Sequence, residues 1–214
     1  MRALVVMAKA PIPGRVKTRL QPAVSPEMAA QLYAAFLDDV LLRAKRWARR
    51  KSAEPILAWA GPGEAPASAS AFRVVDQGEG DLGARMERAR LAAGVPHVVI
   101  VGSDAPTMLE HRVDEAFAAL DRGRVVFGPT EDGGYDVLGF PSPAPWVLED
   151  IPWSTPQVME TTRDRGRQAG AQWEELTLGW DVDEPKDLER LARDPRLVWA
   201  PRTEAVIRAW LETR

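Results

Sequence analysis

The chain has 214 residues, a net charge of −3 and no cysteine. That length suits one domain over residues 1–214 with a sizeable core, and the charge supplies no global basic field for nucleic acid. The missing thiols exclude disulfides, thiolate catalysis and cysteine-held metal, and the two histidines, His97 and His111, receive no role here.

Residues 3–8 form a short apolar run that stops at a Pro/Gly loop, the pattern of a buried parallel strand entering a turn at the sheet's carboxyl end. The loop and its exit carry Lys9, Arg15, Lys17 and Arg19 with no acid among them. Ser25-Pro26-Glu27 reads as a helix start, with serine capping and proline in the first turn. Leu32, Tyr33, Phe36, Leu37, Val40, Leu41 and Ala44 then give that helix an apolar face. Its closing cations, Arg43, Lys45, Arg46, Arg49, Arg50 and Lys51, read as a water-facing complement to the helix dipole.

Residues 55–60 and 72–76 read as the next two strands, separated by a low-information loop. Gln77 to Gly83 leads into a helix over 82–93, and 97–102 is the strongest strand, ending in Ser103-Asp104. A helix over 111–122 and a strand over 124–128 follow. In 130–140 an Asp-Gly-Gly turn precedes alternation, which suggests a hairpin arm. Residues 141–152 are proline-rich and irregular, 155–170 helical, 172–178 extended and 184–193 helical. The tail over 203–212 reads as an amphipathic helix with Val206, Ile207, Trp210 and Leu211 inward. Strands alternating with helices predict an α/β sheet, mostly parallel, with ligands at the carboxyl ends of its strands.

The chemistry follows from the loops. A strand feeding a cationic Gly/Pro loop is how such sheets hold phosphates, so Lys9, Gly14, Lys17 and Arg19 are candidate nucleotide contacts, with Lys17 and Arg19 carrying most of the charge. The alternative is a solubilising surface loop. Asp104, directly after a central strand, is placed to hold a hard cation, or to start a turn. Asp181 and Asp183 share one face of an extended segment and offer the same oxygen chemistry, while Asp183 also suits a helix cap. Gln77, Gly80, Asp81 and Gly83 could let backbone approach a flat base whose edge Gln77 or Asp81 reads; an ordinary strand-to-helix loop capped by Asp81 is the competing reading. Asp132, Gly133, Gly134 and Tyr135, with Trp153 and Ser154, are candidate acceptor contacts, against a reading as turn stabilisers.

The segments KAPIPGRVKTRL, QGEGDLGARM, VIVGSDAP, VFGPTEDGGYDVLGF, IPWSTPQV and DVDEPKDL, in this order along nearly the whole chain, resemble a bacterial "transferase 1" family associated with radical SAM and selenoprotein loci. That family has the three-layer, Rossmann-like nucleotide-diphospho-sugar transferase (GT-A) fold. More distantly the segments resemble 2-phospholactate guanylyltransferase, molybdenum cofactor guanylyltransferase and the sugar-nucleotide uridylyltransferases. The resemblance implies Mg²⁺ or Mn²⁺ on Asp104 and Asp183, with Asp181 as neighbour or substitute, and phosphates on Lys9, Lys17 and Arg19. The chain departs from the nucleotidyltransferases in lacking their glycine-rich start, and from many glycosyltransferases in having one aspartate rather than Asp-x-Asp after the strand.

The resulting expectation is a transferase with Lys17, Arg19 and Asp104 as its catalytic groups. It would join a nucleoside triphosphate to a small phosphate- or carboxylate-bearing acceptor, releasing pyrophosphate. The alternatives are glycosyl transfer from a nucleotide-sugar, with Asp132 as base, and a non-catalytic nucleotide-binding module. No run approaches the ~18 apolar residues of a membrane span, and the opening apolar run enters a loop rather than a cleavage site. A cytoplasmic protein without membrane or nucleic-acid partners is expected, with a homodimer built through the hairpin arm or the Trp-bearing tail.

Overall fold

The computed structural model describes residues 1–141 and 144–212. Seven strands form one sheet in the order β3-β2-β1-β4-β6-β5-β7. They are β1 (Arg2–Lys9), β2 (Ala53–Ala60), β3 (Arg73–Asp76), β4 (His97–Gly102), β5 (Val125–Pro129), β6 (Tyr135–Phe140) and β7 (Trp173–Glu175). The helices are α1 (Pro26–Arg50), α2 (Leu82–Ala93), α3 (Glu110–Asp121), α4 (Pro145–Leu148), α5 (Val158–Gln168), α6 (Pro185–Ala192) and α7 (Pro201–Glu212).

The three layers follow from strands that are apolar on both faces. Leu4 and Val6 of β1 pack with Leu37, Val40 and Leu41 of α1 and with Val113 and Phe117 of α3. Ala3 and Val5, one residue out of phase, pack on the opposite side with Met86 and Ala89 of α2, Val147 of α4 and Met159 of α5. Successive side chains of a strand point to opposite faces, so one apolar run serves both helical layers. Phe117 is 1% exposed, and truncating a phenylalanine buried to that degree costs about 3–5 kcal/mol.

β1 lies parallel between β2 and β4, and the last residues of the β1/β4 ladder are Met7 and Gly102. The loops after β1 and β4 therefore leave the sheet side by side. β6 runs antiparallel to both β4 and β5. The hairpin expected in 130–140 is present, and both of its strands are built into the sheet. β6 pairs with β4 on one edge and β5 on the other, so it offers no free strand edge to a second copy.

Three further expectations are corrected. Arg43 does not face water: it is 8% exposed and donates to the carbonyls of Pro106, at 2.5 Å, and Met108. Its guanidinium carbon sits 5.0 Å from the Trp47 ring centre, and burial lowers its pKa to about 10. An arginine with a stacked ring and carbonyl acceptors can stay inside. In α7 the inward residues are Thr203, Ile207 and Trp210, whereas Leu211 is 46% exposed: the buried face is centred on those three positions, and Leu211, in the last turn, lies at its edge. Within 141–152 the structure forms α4, and residues 142–143 of that stretch lie outside the described residues.

Candidate functional site

After Lys9 the chain turns through Gly14, at φ +75°, and Lys17 itself takes a left-handed conformation (φ 46°, ψ 39°). A non-glycine residue held there costs on the order of 1–3 kcal/mol and persists only when its surroundings enforce it. The enforcing contact is an ion pair. The Lys17 side chain is 5% exposed, with Nζ 2.6 Å from Asp183 Oδ1 and 3.0 Å from Asp104 Oδ1. Burial disfavours the ammonium, yet the two carboxylates hold its pKa above the ordinary lysine value. For Asp183 burial acts upward, and Lys17 with Arg19 reverses it, leaving the pKa below the usual carboxylate range. Arg19 approaches from outside: Nη1 is 3.6 Å from Asp183 Oδ2 and its side chain is 58% exposed.

Backbone contacts explain why residues so far apart in sequence meet. The carbonyl of Asp104 accepts the Val182 N–H at 3.1 Å, which ties the Asp181–Asp183 segment to the exit of β4. Asp183 is not the cap of α6; that position belongs to Glu184. The Asp187 carboxylate accepts the N–H groups of Asp183 (3.1 Å) and Glu184 (2.7 Å). With the helix end satisfied from within, the Asp183 carboxylate is left to Lys17. Tyr33 of α1 joins the β1 and β4 exits: its hydroxyl accepts the Lys9 N–H and bonds Ser103 Oγ, both at 2.9 Å. Burial, then Asp104, pushes the phenol up to about 12, so it stays protonated. The sequence placed Tyr33 only on an apolar face; a tyrosine's polar tip was the one signal of this second role.

A second arm of the site is acidic. Carboxylate oxygens of Asp132, Asp181 and Asp183 all lie within 4.8 Å of one another. Asp181 is pushed up to about 7 by burial, then by Asp183 and Asp132. The turn bearing Asp132 is held by Thr130 Oγ1 (2.6 Å) and the Gly134 N–H (3.0 Å), both donating to its Oδ1, and a bridge from Thr130 to Gly179 sets it beside the 181–183 segment. Gly133 (φ +86°) could carry no side chain, since a Cβ there would lie 2.1 Å from the Pro156 carbonyl oxygen. Beneath the turn, Arg112 and Asp136 form an ion pair of 2.6 Å, each side chain 5% exposed. Burial raises the Asp136 pKa, with Arg112 opposing. Nothing in the sequence pattern marked Arg112 as its partner.

These groups open on one cavity of about 990 Å³ at the carboxyl ends of β1 and β4. Lys9, Lys17, Arg19, Gln77, Asp104, Asp132, Gly134, Tyr135, Trp153, Ser154, Asp181 and Asp183 all line it. Gly14, Gly80, Asp81, Gly83 and Gly133 do not. Asp81 is a helix cap, its Oδ1 accepting the Ala84 N–H at 2.8 Å. Gly83 lets α2 pack closely, because a Cβ there would meet the Leu148 carbonyl oxygen at 2.4 Å. Gln77 reaches the wall, but its Nε2 already donates to Ala8 and Ala58 carbonyls at 2.8 Å each. It fastens the ends of β1 and β2, and of the four residues expected at a base it is the one that lines the cavity.

A sheet of this order, with β6 reversed and a charged cavity at the strand ends, defines a nucleotide-diphospho-sugar transferase-like α/β fold. The chain belongs to the family described as uncharacterized protein conserved in bacteria (DUF2064), whose model matches residues 41–155. A protein from Desulfovibrio desulfuricans G20, assigned by inference as a nucleotide-diphospho-sugar transferase, is similar at 30% identity and a TM-score of 0.79, over 98% of this chain and 97% of that one. Two more remote structures share the fold. CMP:2-keto-3-deoxy-manno-octonic acid synthetase complexed with CTP is 14% identical (TM-score 0.57), over 94% of this chain and 98% of that one. A nucleotidyl transferase from Methanothermobacter is 16% identical (TM-score 0.58), over 100% and 99%. No curated protein matches the chain, and among the described residues no helix is long and apolar enough to cross a membrane.

Proposed function

We propose that this chain is a metal-dependent nucleotidyltransferase that joins a nucleoside triphosphate to a small acceptor and releases pyrophosphate. The observation that carries the reading is Lys17, a buried ammonium left-handed in its backbone and fixed between Asp104 and Asp183. An ammonium has three N–H bonds, so engagement by two carboxylates leaves one for a phosphate oxygen. The exposed Lys9 and Arg15 and the half-free Arg19 stand around it.

The donor set suits Mg²⁺ or Mn²⁺, which take carboxylate oxygens and retain water. Asp104 and Asp183 would hold the ion, with Asp181 beside them, and Lys17 would move off one carboxylate toward the phosphates. When bound, the ion neutralises charge on the phosphate oxygens. The chain's own part is positioning and electrostatics. Lys17 and Arg19 hold the departing pyrophosphate as the acceptor's oxygen bonds to the α-phosphorus and the α–β bridging bond breaks. No side-chain nucleophile is needed.

Glycosyl transfer from a nucleotide-sugar is the second reading, favoured by the description of the Desulfovibrio relative; Asp132 would then serve as base. A single domain, a cytoplasmic location, a homodimer and the narrower kinship to radical SAM-associated transferases belong to the same proposal. Calorimetry with each nucleoside triphosphate, and with UDP- and GDP-sugars, in the presence of Mg²⁺ separates the readings. Tight triphosphate binding that Asp104→Ala abolishes supports the first. Preference for an intact nucleotide-sugar supports the second. Binding of nucleotide without turnover of any acceptor leaves the non-catalytic module.

A further inference from the structure

Lys17 stands where the proposed metal would stand. Three of the four carboxylate oxygens of Asp104 and Asp183 face a protein cation. Asp183 Oδ1 and Asp104 Oδ1 lie 2.6 and 3.0 Å from the Lys17 ammonium, and Asp183 Oδ2 lies 3.6 Å from Arg19 Nη1. A divalent ion bound to the same oxygens would sit about 2.1 Å from them. That places it against the ammonium, where like charges in a partly desolvated site repel strongly. Lys17 and the ion are therefore alternative occupants of one position.

The loop that bears the lysine is pegged in place. Val16, just before it, is buried with Ala30 and Tyr33 of α1, and Leu20, just after it, is buried in the cluster that includes Leu32 and Phe36. The Leu20 N–H donates to the Lys17 carbonyl at 3.0 Å, and the backbone between these pegs is held at φ 46°. What can move is the side chain, a flexible four-carbon stem ending in a rotatable ammonium. It lines the cavity together with Lys9, Arg15 and Arg19. Swinging it from two carboxylates toward three further cations breaks an ion pair whose lysine is buried, and is unfavourable until an anion arrives there. A triphosphate is such an anion. Taking the ammonium, it frees the two carboxylates in the same event.

We propose that Lys17 is a resident counter-ion that closes the Asp104–Asp183 pair to divalent metal until a phosphate-bearing ligand draws it away. Metal and nucleotide then bind as a coupled pair, and metal alone meets a closed site. The coupling is reciprocal, so the factor that nucleotide adds to metal affinity is the factor that metal adds to nucleotide affinity. The inference rests on the metal-dependent reading for the use of the ion, while the closure itself stands on the position of Lys17.

The test follows free Mn²⁺ by electron paramagnetic resonance in solutions of the full chain without nucleotide. Lys17→Met should bind Mn²⁺ about ten-fold or more tightly than the parent, whereas Lys17→Arg, which keeps the charge, should stay as weak as the parent. Adding Asp104→Asn to Lys17→Met should remove the gain, which assigns it to the Asp104–Asp183 pair. Lys17→Gln, also neutral, takes the place of the methionine variant if that one loses the parent's circular dichroism spectrum. Equal Mn²⁺ affinity in the parent and the neutral variant, or a gain that survives Asp104→Asn, overturns the inference. By calorimetry, Mn²⁺ should raise triphosphate affinity by a larger factor in the parent than in Lys17→Met, and an equal factor in both also overturns it. Absence of triphosphate binding beside an unmasked Mn²⁺ site would sink the nucleotidyl reading and still support Lys17 as the counter-ion that closes the pair.

Discussion

Lys17 is where the cationic and acidic arms of the cavity meet, and its neighbours make its removal informative. Lys17→Met removes the ammonium held between Asp104 and Asp183, leaving Arg19 as the nearest cation to Asp183, and takes one donor from the phosphates. Triphosphate affinity should fall by about ten-fold more than monophosphate affinity, each measured by calorimetry with Mg²⁺; an equal loss for both would place Lys17 away from the β- and γ-phosphates. Asp181 gives a pH-dependent prediction. Its folded pKa is pushed up to about 7, against about 3.9 in an unfolded chain. The folded state therefore keeps a proton that the unfolded state releases, and stability present below the unfolded value is lost as pH rises toward 7. Asp181→Asn removes that loss. In metal-free buffer it should stabilise the protein by on the order of 1–3 kcal/mol at about pH 8 and by little at about pH 4, read as thermal unfolding at each pH. A gain of the same size at both pH values would mean that Asp181 is charged throughout.

At the scale of elements, the site depends on turns that fix side chains the sheet itself does not. Asp132 sits in a turn whose Gly133 carbonyl accepts the Met159 N–H at 2.8 Å, so the turn is anchored on the first residues of α5. Gly133→Ala would force a Cβ into the Pro156 carbonyl and strain a positive φ. The expected cost is about 2 kcal/mol or more in urea unfolding. Gly14, also at positive φ, has open space where its Cβ would be, and it makes the internal contrast: only backbone strain, about 1 kcal/mol, should appear for Gly14→Ala. The cap exchange at α6 is a lesson of the same kind. By residue type Asp183 was the expected cap; the structure has Glu184 there instead, with Asp187 reaching back to the N–H groups of both, and so leaves the Asp183 carboxylate to the site.

For the whole molecule, ligand binding and folding are linked through a cavity built from loops at the ends of different strands. A nucleotide with Mg²⁺ at a hundred times its dissociation constant should add about 2.7 kcal/mol to the stability of the parent. For a domain of this size that is a rise of about 5–10 °C in Tm. In Asp104→Asn the rise should be small, and a full rise there would show that the metal and nucleotide do not depend on Asp104.

Much of this was legible along the chain because it is local. The apolar run of β1, the Ser25 cap of α1, the length of α2 and the turn before β6 each depend on neighbours within a few residues, where periodicity and capping chemistry act. The cationic loop, Asp104 and Asp183 stood out by position relative to those elements. What the sequence could not show was which polar groups would be consumed by the fold. Gln77 and Asp81 were spent on strand ends and a helix cap, Arg43 and Arg112 turned inward, and Asp132 was drawn to Asp181 and Asp183. Those outcomes are set by contacts between residues tens of positions apart, through loop geometry and burial. The sequence by itself therefore determined the layered α/β sheet and the charges brought to its carboxyl edge. Only the tertiary structure decided that Lys17 lies between two carboxylates and that Asp132 joins Asp181 and Asp183 beside it, because hydrogen bonds and desolvation across the folded chain assign each side chain its partner.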